Sequence, residues 1–300
     1  MLDWLPLDID PFLSLGGLLA GLMVGLTGMG GAALVTPMLV LLFGVSPATA
    51  VSSDVVASAL TKPVGSWVHI RAKTVHWRLV WWLSVGSIPG VLIGTAIFSA
   101  VLNTDEAAET IRTWIGVVLV IALIAMVAKN YVAKRANQLR TGSPGAPIPL
   151  MGTDMPVKIA PTVVIGAFVG LLVGMTSVGS GSLIVTTLLL LYPLLRPSVL
   201  VGTDLTQAVP MLIAGALAHA GLGDISIAVV VSLLIGQIPG VWVGARLSSR
   251  YDGHALRWLL MVILAATAAK LLGAPSILAG MIALVGMGVV GIVIVRNRGN

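Results

Sequence analysis

The chain has no cysteine among its 300 residues, and only 9% of them are charged. Without cysteine there is no disulfide framework, no thiol chemistry and no metal centre with cysteine ligands. Charge is also scarce compared with the roughly 25% of a typical soluble domain. The net charge of +6 comes from short basic clusters between hydrophobic stretches, a distribution that indicates membrane orientation and not nucleic-acid binding.

Hydrophobic residues, in contrast, make up 57% of the chain and form long runs. The run from Leu79 to Leu102 has no charged residue. At ~1.5 Å per helical residue it is longer than the ~30 Å hydrocarbon core of a bilayer. We therefore predict an all-α, polytopic transmembrane helical bundle. Its hydrophobic segments lie near 12–27, 31–43, 46–69, 78–101, 111–129, 161–176, 181–195, 198–220, 226–247, 256–272 and 276–295.

Two glycine-rich stretches occur twice. The first begins at Gly21 with G-L-M-V-G-L-T-G-M-G-G-A-A, and its second copy begins at Gly170 with G-L-L-V-G-M-T-S-V-G-S-G-S. The other begins at Ser87 with S-I-P-G-V-L-I-G, and its second copy begins at Gln237 with Q-I-P-G-V-W-V-G. Duplicated, glycine-interrupted hydrophobic segments are typical of two-halved transporters. The proline and small residues of the second pair predict kinked helices that pack closely. The predicted units are a first repeat at 1–139, a cytoplasmic linker at 140–160, a second repeat at 161–274 and an additional C-terminal transmembrane helix at 275–300.

The basic residues predict the orientation of the chain. Those that mark the cytoplasmic side are Arg71, Lys73, Arg78, Lys129, Lys134, Arg135, Arg140, Lys158, Arg246, Arg250, Arg257, Arg296 and Arg298. The acidic loop around Asp105 and the N-terminus are then outside the plasma (inner) membrane, and the C-terminus is cytoplasmic. The equivalent loops 72–74 and 222–224 fall on opposite sides, so we predict two repeats of inverted topology.

The first two segments of each half are short. At ~13–16 residues they are marginal for crossing a bilayer, and only a glycine-rich kink separates the members of each pair. The stretches 12–43 and 161–195 therefore either span the membrane fully or form re-entrant helical hairpins.

Both kinks, Gly28–Ala32 and Ser177–Ser182, are candidate anion-binding sites. Glycine lets a backbone approach a ligand closely, and the free N–H groups at the start of the following helix attract an anion. Broken helices are tolerated at membrane depth only where protein or a water-filled cavity satisfies them. Small residues also serve close helix packing, but duplication at matching positions favours binding.

Ionisable residues inside predicted helices are the second kind of candidate, because charge at membrane depth is costly and marks ion or substrate pathways. Asp54 and Asp204 are equivalent positions of the two repeats, and we predict that they carry coupled protons. Lys62 follows Asp54 by about two helical turns and is predicted to neutralise a bound anion. An internal Asp54–Lys62 pair that binds nothing is the alternative. His69 and His219, again equivalent, are secondary candidates near segment ends.

The predicted substrate-binding residues combine the two kinks, the buried lysine and two neutral polar side chains beside Asp204. They are Gly28, Gly30, Gly31, Ala32, Lys62, Ser177, Gly179, Ser180, Gly181, Ser182, Thr203 and Gln207.

These motifs resemble the TauE/SafE family of sulfite and organosulfonate exporters, over residues from about 12 to 272. The matching pieces are G-L-T-G-M-G-G-A with Thr36-Pro37, A-V-S-S-D, T-K-P-V-G-S-W-V-H, V-G-T-D-L-T-Q-A, G-A-L-A-H and the paired I-P-G. The resemblance implies proton-motive export of sulfite, sulfoacetate or related sulfonates by a permease of two homologous halves. The chain departs from the family pattern where Ala32 and Ala33, and then Ser177, Ser180 and Ser182, replace glycines.

Two other functions are considered. The two aspartates and two histidines have the ligand chemistry for a metal cation, although Lys62 and the positive helix ends disfavour one. Ser180 or Ser182 with His219 has the chemistry of an intramembrane hydrolase, although the first kink contains no serine. We predict a non-enzymatic transporter without cofactor or resident metal, whose partners are a small anion, protons and the lipid bilayer. The oligomeric state stays open, a homodimer included.

Overall fold

A computed structural model describes residues 9–27, 32–141, 152–222, 224–247 and 254–298. These residues form eleven α-helices: α1 (Pro11–Thr27), α2 (Ala32–Leu41), α3 (Pro47–Arg71), α4 (Trp77–Leu102), α5 (Ala107–Thr141), α6 (Ile159–Thr176), α7 (Ser182–Leu191), α8 (Pro197–Ala220), α9 (Ile227–Leu247), α10 (His254–Leu271) and α11 (Ser276–Arg298). Five helices are long and apolar enough to cross a membrane, namely α4, α5 over Ala107–Ala128, α6, α8 and α9 over Ile227–Gly244. The predicted all-helical, multi-pass architecture is confirmed for the residues described.

Each helix coincides with one predicted hydrophobic segment, and the ends agree within a few residues except in α5. The fifth segment was expected to end at 129, but α5 continues to Thr141. Residues 130–141 contain alanine, leucine, glutamine, lysine and arginine but no glycine or proline. Such residues favour helix, so the helix continues after the hydrophobic run has ended.

Local sequence explains where the central helices begin and end. Ser46 Oγ accepts a hydrogen bond from the Thr49 N–H at 3.2 Å, and Pro47 occupies the first helical position of α3. Pro197 has the same place in α8. α6 ends at Thr176 because Ser177 adopts a left-handed conformation with φ of 61°.

The fourth helix of the first half packs against the first helix of the second half. α4 and α6 run side by side, and their backbones are so close that the contact needs glycine. A Cβ at Gly90 would overlap the carbonyl oxygen of Ala167, and one at Gly170 would overlap the carbonyl oxygen of Ser87. Glycines at four-residue spacing in both helices therefore form one continuous seam between the halves.

The same seam recurs between α1 and α9, the first helix of the first half and the fourth of the second. A Cβ at Gly21 would meet the carbonyl oxygen of Gln237, and one at Gly240 would meet the carbonyl oxygen of Leu18. Gly90 and Gly240 both belong to the duplicated I-P-G motif, so the predicted close packing of that motif is confirmed in both copies. The two halves are therefore joined crosswise, which means that the first helix of each half packs against the fourth helix of the other.

A substitution within this seam should destabilise the fold strongly. Gly170→Ala places a methyl group against the Ser87 backbone, and overpacking of this kind costs about 1–3 kcal/mol, occasionally more. We expect a lower thermal unfolding temperature of the purified protein. Gly280→Ala is the matched control, because a Cβ at Gly280 meets nothing within 4 Å and alanine favours helix. Equal unfolding temperatures for the two variants would contradict the packing described.

α3 and α8, the third helices of the two halves, cross in opposite directions. Ser52 near the start of α3 is hydrogen-bonded to His219 near the end of α8. Ser66 near the end of α3 donates to Thr206 near the start of α8 at 3.0 Å. The packing is antiparallel, and most of the buried polar side chains among the described residues lie on these two helices and the elements beside them.

Candidate functional site

The carboxylate of Asp54 is fully buried where α2, α3 and the break between α6 and α7 meet. Its Oδ2 accepts hydrogen bonds from Thr36 Oγ1 at 2.6 Å and from Ser177 Oγ at 2.9 Å. Its Oδ1 accepts a longer hydrogen bond from Ser58 Oγ at 3.4 Å. A buried carboxylate is tolerated only with such donors. Asp54 therefore joins the first half of the chain to the break in the second half.

Lys62 lies two turns further along α3 and is only 5% exposed. Its Nζ donates a hydrogen bond to Ser180 Oγ at 3.4 Å, so the ammonium group reaches the α6–α7 break. Lys62 interacts electrostatically with Asp204 of α8 and with Asp54 of its own helix. Lys62 and Asp54 thus interact electrostatically, but the hydrogen bonds of each are made to other residues.

The α6–α7 break lies where the sequence predicts the second kink. Ser177 has a φ of 61° and Gly179 a φ of 122°, the second of which strongly favours glycine. α7 begins at Ser182, preceded by Gly181, and no side chain caps its first N–H groups. The Ser182 hydroxyl is buried without a hydrogen-bond partner among the described residues. The Leu183 N–H already donates to the carbonyl oxygen of Gly179 at 3.2 Å. The break therefore combines the Lys62 ammonium group at Ser180, the unpartnered Ser182 hydroxyl and the positive end of the α7 dipole, groups that attract an anion to a helix start.

The first kink contains the predicted residues Gly28, Gly30 and Gly31, which lie outside the described part of the chain. α1 is described up to Thr27 and α2 from Ala32 onward. The part of this kink in ligand binding stays a prediction.

Gln207 and Thr203 of α8 are fully buried but differ in how they are bonded. Gln207 Oε1 accepts a hydrogen bond from Ser87 Oγ at 3.2 Å, whereas its Nε2 has no hydrogen-bond partner among the described residues. Buried amide groups rarely lack a partner, so this N–H is available to a ligand oxygen. Thr203 Oγ1 accepts from the His76 N–H at 3.0 Å and so fixes the start of α4.

The two predicted histidines are held by hydrogen bonds, long-range ones for His219 and a local one for His69. His219 Nε2–H donates to the carbonyl oxygen of Gly174 at 2.9 Å, which leaves Nδ1 to accept from Ser52 Oγ at 3.0 Å. His69 Nδ1 is hydrogen-bonded to Thr74 Oγ1 at 2.9 Å. The His219 ring therefore connects α8 to α3 and α6, whereas the His69 ring holds the loop that follows α3.

Sequence reasoning missed several polar residues of this region. Ser58 follows Asp54 by one helical turn, and that spacing was a usable signal. Thr36 and Ser87 carry no such signal, because their partners are 18 and 120 residues away. His76 was also missed, although its Nε2–H donates to the carbonyl oxygen of Met155 at 2.8 Å and so holds the linker.

The side chains of this region are chiefly hydrogen-bond donors around one buried cation. The region combines a buried ammonium group, hydroxyl and amide donors and the start of a helix. No group of three or more histidine, aspartate or glutamate side chains that could hold a metal ion occurs among the described residues.

A multi-pass helical bundle with interrupted helices and buried ionisable groups on its central helices defines a membrane transport protein. The chain belongs to the TauE/SafE family, because the family model described as "Sulfite exporter TauE/SafE" matches residues 13–271. It is 35% identical over 259 residues to the probable membrane transporter protein YjnA of Bacillus subtilis, covering 85% of this chain and 97% of that protein.

Two further Bacillus subtilis proteins are also similar. Probable membrane transporter protein YunE is 26% identical, covering 78% of this chain and 85% of that protein. Probable membrane transporter protein YdhB is 25% identical, covering 77% of this chain and 87% of that protein. No solved structure matches the chain significantly.

Proposed function

We propose that this protein is a secondary transporter that exports a small sulfur-containing anion, such as sulfite, sulfoacetate or a related organosulfonate, by alternating access coupled to protons. The observation that carries the proposal is the buried Lys62 ammonium group beside the uncapped start of α7. A cation in a membrane interior usually marks an ion or substrate pathway. The name of the matching family model, a sulfite exporter, agrees with an anionic solute.

A bound sulfonate would use the charge and donors already present. Lys62 neutralises the negative charge, the Ser180 and Ser182 hydroxyls donate to its oxygens, and the α7 dipole adds partial positive charge. Gln207 Nε2 supplies one more donor from α8. The backbone of the first kink, Gly28–Ala32, is proposed to approach the anion from the opposite half, because it occupies the equivalent position of the first repeat.

Alternating access is proposed to occur between two units that the glycine seams define. α1 and α9 form the centre of one unit, and α4 and α6 form the centre of the other. The site lies at the antiparallel crossing of α3 and α8, between these units. Antiparallel packing of equivalent helices supports inverted repeats. The N-terminus is proposed to lie outside the plasma membrane and the C-terminus in the cytoplasm, because of the distribution of the basic residues.

Proton coupling is proposed to use Asp54 and Asp204. A charged Asp54 accepts all three hydroxyl hydrogen bonds described above, but a protonated carboxyl group must donate one hydrogen itself. Protonation therefore requires one of the three hydroxyls to rotate its hydrogen elsewhere, so that its oxygen accepts from the carboxyl O–H. We propose that Ser177 is the hydroxyl that reorients, because it lies in the α6–α7 break and so connects the protonation of Asp54 to the position of that break.

Asp54→Asn and Asp204→Asn should uncouple transport from the proton gradient. The measurement is net anion flux into proteoliposomes under an imposed pH difference. The pH difference should drive flux by the unmodified protein. It should not drive flux by the variant whose replaced aspartate is the proton carrier. Exchange of labelled for unlabelled anion should persist in that variant, because exchange moves no net proton. Asp105→Asn in an exposed loop is the control and should keep its response. If both buried variants respond to pH like the control, the aspartates are structural.

The proposal is tested by a thermal-shift screen of purified protein, followed by flux measurements on the compounds that stabilise it. The screen contains sulfite, sulfoacetate, taurine, isethionate, sulfate, carboxylate analogues and divalent metal ions. We expect one or more sulfur-containing anions to raise the unfolding temperature in a concentration-dependent way. Stabilisation by metal ions alone would contradict anion transport.

A serine-reactive fluorophosphonate tests the hydrolase alternative in the same preparation. His219 bonds to Gly174 and Ser52, whereas a catalytic pair requires it to bond to Ser180 or Ser182. We therefore expect no labelling, and labelling at either serine would contradict a purely transporting function.

A further inference from the structure

A cavity of about 320 Å³ lies where α3 ends and α4 begins, apart from the α3–α8 crossing. Its lining residues are Ile70, Lys73, Val75, Trp77, Arg78 and Thr153. Two of these six residues are basic and none is acidic. Both basic side chains are exposed, so the cavity is an open, positively charged pocket at the end of a candidate membrane span.

The duplication of the chain shows that this charge belongs to one half only. The loop residue Lys73 corresponds to Gly223 of the second repeat, and Arg78 corresponds to Ala228. Lys73 has a φ of 55°, a conformation that costs a non-glycine residue of order 1 kcal/mol. The first repeat therefore has a lysine in a strained turn, whereas the sequence of the second repeat has glycine at the equivalent position, a residue that adopts such a conformation without strain.

Exposed aromatic and apolar side chains lead away from the pocket along both helices. On α4, Trp77 is 59% and Trp81 64% exposed, and their four-residue spacing places them on one face. On α3, Trp67 is 57% and Ile70 37% exposed, and the Arg71 guanidinium group lies over the Trp67 ring, 4.7 Å from its centroid. Tryptophan at such a position is typical of the membrane–water interface. The pocket thus opens at headgroup depth, with an apolar strip below it.

The wall formed by the linker is held in place. His76 caps α4 by accepting from the Leu79 N–H at 3.2 Å, and it also donates to the carbonyl oxygen of Met155, two residues after Thr153. At the other end of this segment the Lys158 N–H donates to Tyr192 Oη at 2.8 Å. The pocket wall is therefore part of the folded structure.

We propose that this pocket binds the phosphate group of an anionic phospholipid. Lys73 and Arg78 pair with the phosphate oxygens, the Thr153 hydroxyl donates to one of them, and the acyl chains lie along Trp77 and Trp81. A soluble oxyanion shares the headgroup chemistry, but it makes no use of the exposed aromatic strip. Basic pockets at the cytoplasmic ends of membrane helices commonly bind such headgroups. The bound lipid holds the linker segment against the α3–α4 loop.

The experiment measures lipid binding by the full-length protein in detergent, by native mass spectrometry with phosphatidylglycerol and, separately, with phosphatidylcholine. The test variant is Lys73→Gly/Arg78→Ala, which introduces the residues of the second repeat and so is compatible with the turn and the helix. Because each basic residue near a lipid surface contributes to binding, the phosphatidylglycerol affinity should fall about thirtyfold. The control Arg112→Ala/Arg196→Ala removes the same charge elsewhere on the exposed surface and should bind within about twofold of the unmodified protein.

Three outcomes would overturn the proposal. One is equal binding of both lipids, and another is unchanged phosphatidylglycerol binding by the test variant. The third is binding of glycerol 3-phosphate or inorganic phosphate as tightly as the lipid, which would make the pocket a site for a soluble anion. Lys73→Arg/Arg78→Lys keeps the charge and should retain binding. If the test variant fails to fold, the phosphatidylglycerol affinity of the single variant Lys73→Gly decides between the outcomes. This variant relieves the strained turn and removes one of the two charges.

Discussion

Lys62→Met should reduce anion flux on the order of 10- to 100-fold, because a hydrogen bond to a charged group contributes about 1.5–3 kcal/mol. Methionine keeps the length of the side chain and fits irregular buried space, so the change removes chiefly the ammonium group that donates to Ser180. The measurement is the initial rate of sulfite or sulfonate flux in proteoliposomes. We expect the apparent affinity for the anion to fall together with the rate.

Two companion variants separate a binding effect from a folding effect. Leu60→Met introduces the same residue two positions earlier at an exposed site and should transport normally. Loss of one buried charge leaves the other uncompensated, which destabilises the fold. The double variant Lys62→Met/Asp204→Asn avoids this effect, because it removes both partners of the electrostatic interaction. Full flux in folded Lys62→Met would remove the basis of the proposed anion site.

A disulfide between α3 and α8 should stop transport completely and reversibly. Ser66 Oγ and Thr206 Oγ1 are 3.0 Å apart, so cysteines at both positions are close enough to form a bond. The chain has no cysteine of its own, and the introduced pair therefore forms the only intramolecular disulfide. Oxidised Ser66→Cys/Thr206→Cys should show no net flux, and reductant should restore it.

The single variants Ser66→Cys and Thr206→Cys should be active under both redox conditions, because neither can form the intramolecular bond. Binding of the stabilising anion should persist in the oxidised double variant if the trapped conformation is one that contains the site. An oxidised, fully cross-linked double variant with normal flux would show that α3 and α8 do not move relative to each other during transport.

The sequence predicted the helices well because hydrophobic length and glycine-rich kinks are local signals. It also singled out Asp54, Lys62 and Asp204, since an ionisable residue within an apolar stretch stands out by itself, and all three are buried. Whether the predicted residues bind an anion is a matter for the experiments above. The kink of the first half lies outside the described residues, so the structure adds nothing to its prediction.

Tertiary partners were not predictable from the same signals. A glycine repeat indicates a close contact but does not identify the other helix, so the crosswise pairs α1–α9 and α4–α6 could not be deduced. The hydroxyl groups of Thr36 and Ser177 approach Asp54 from distant parts of the chain, and no spacing rule connects them. The length of α5 was missed for another reason, since helix propensity continued where hydropathy ended.

The crosswise glycine seams also determine the order in which the protein can be assembled during synthesis. Gly17 of α1 packs against Leu233 of α9, more than 200 residues later. At translation rates of about 5–20 residues per second, α1 is made roughly 10–40 seconds before its partner exists. Until α9 has been synthesised, the glycine-lined face of α1 therefore has no matching helix.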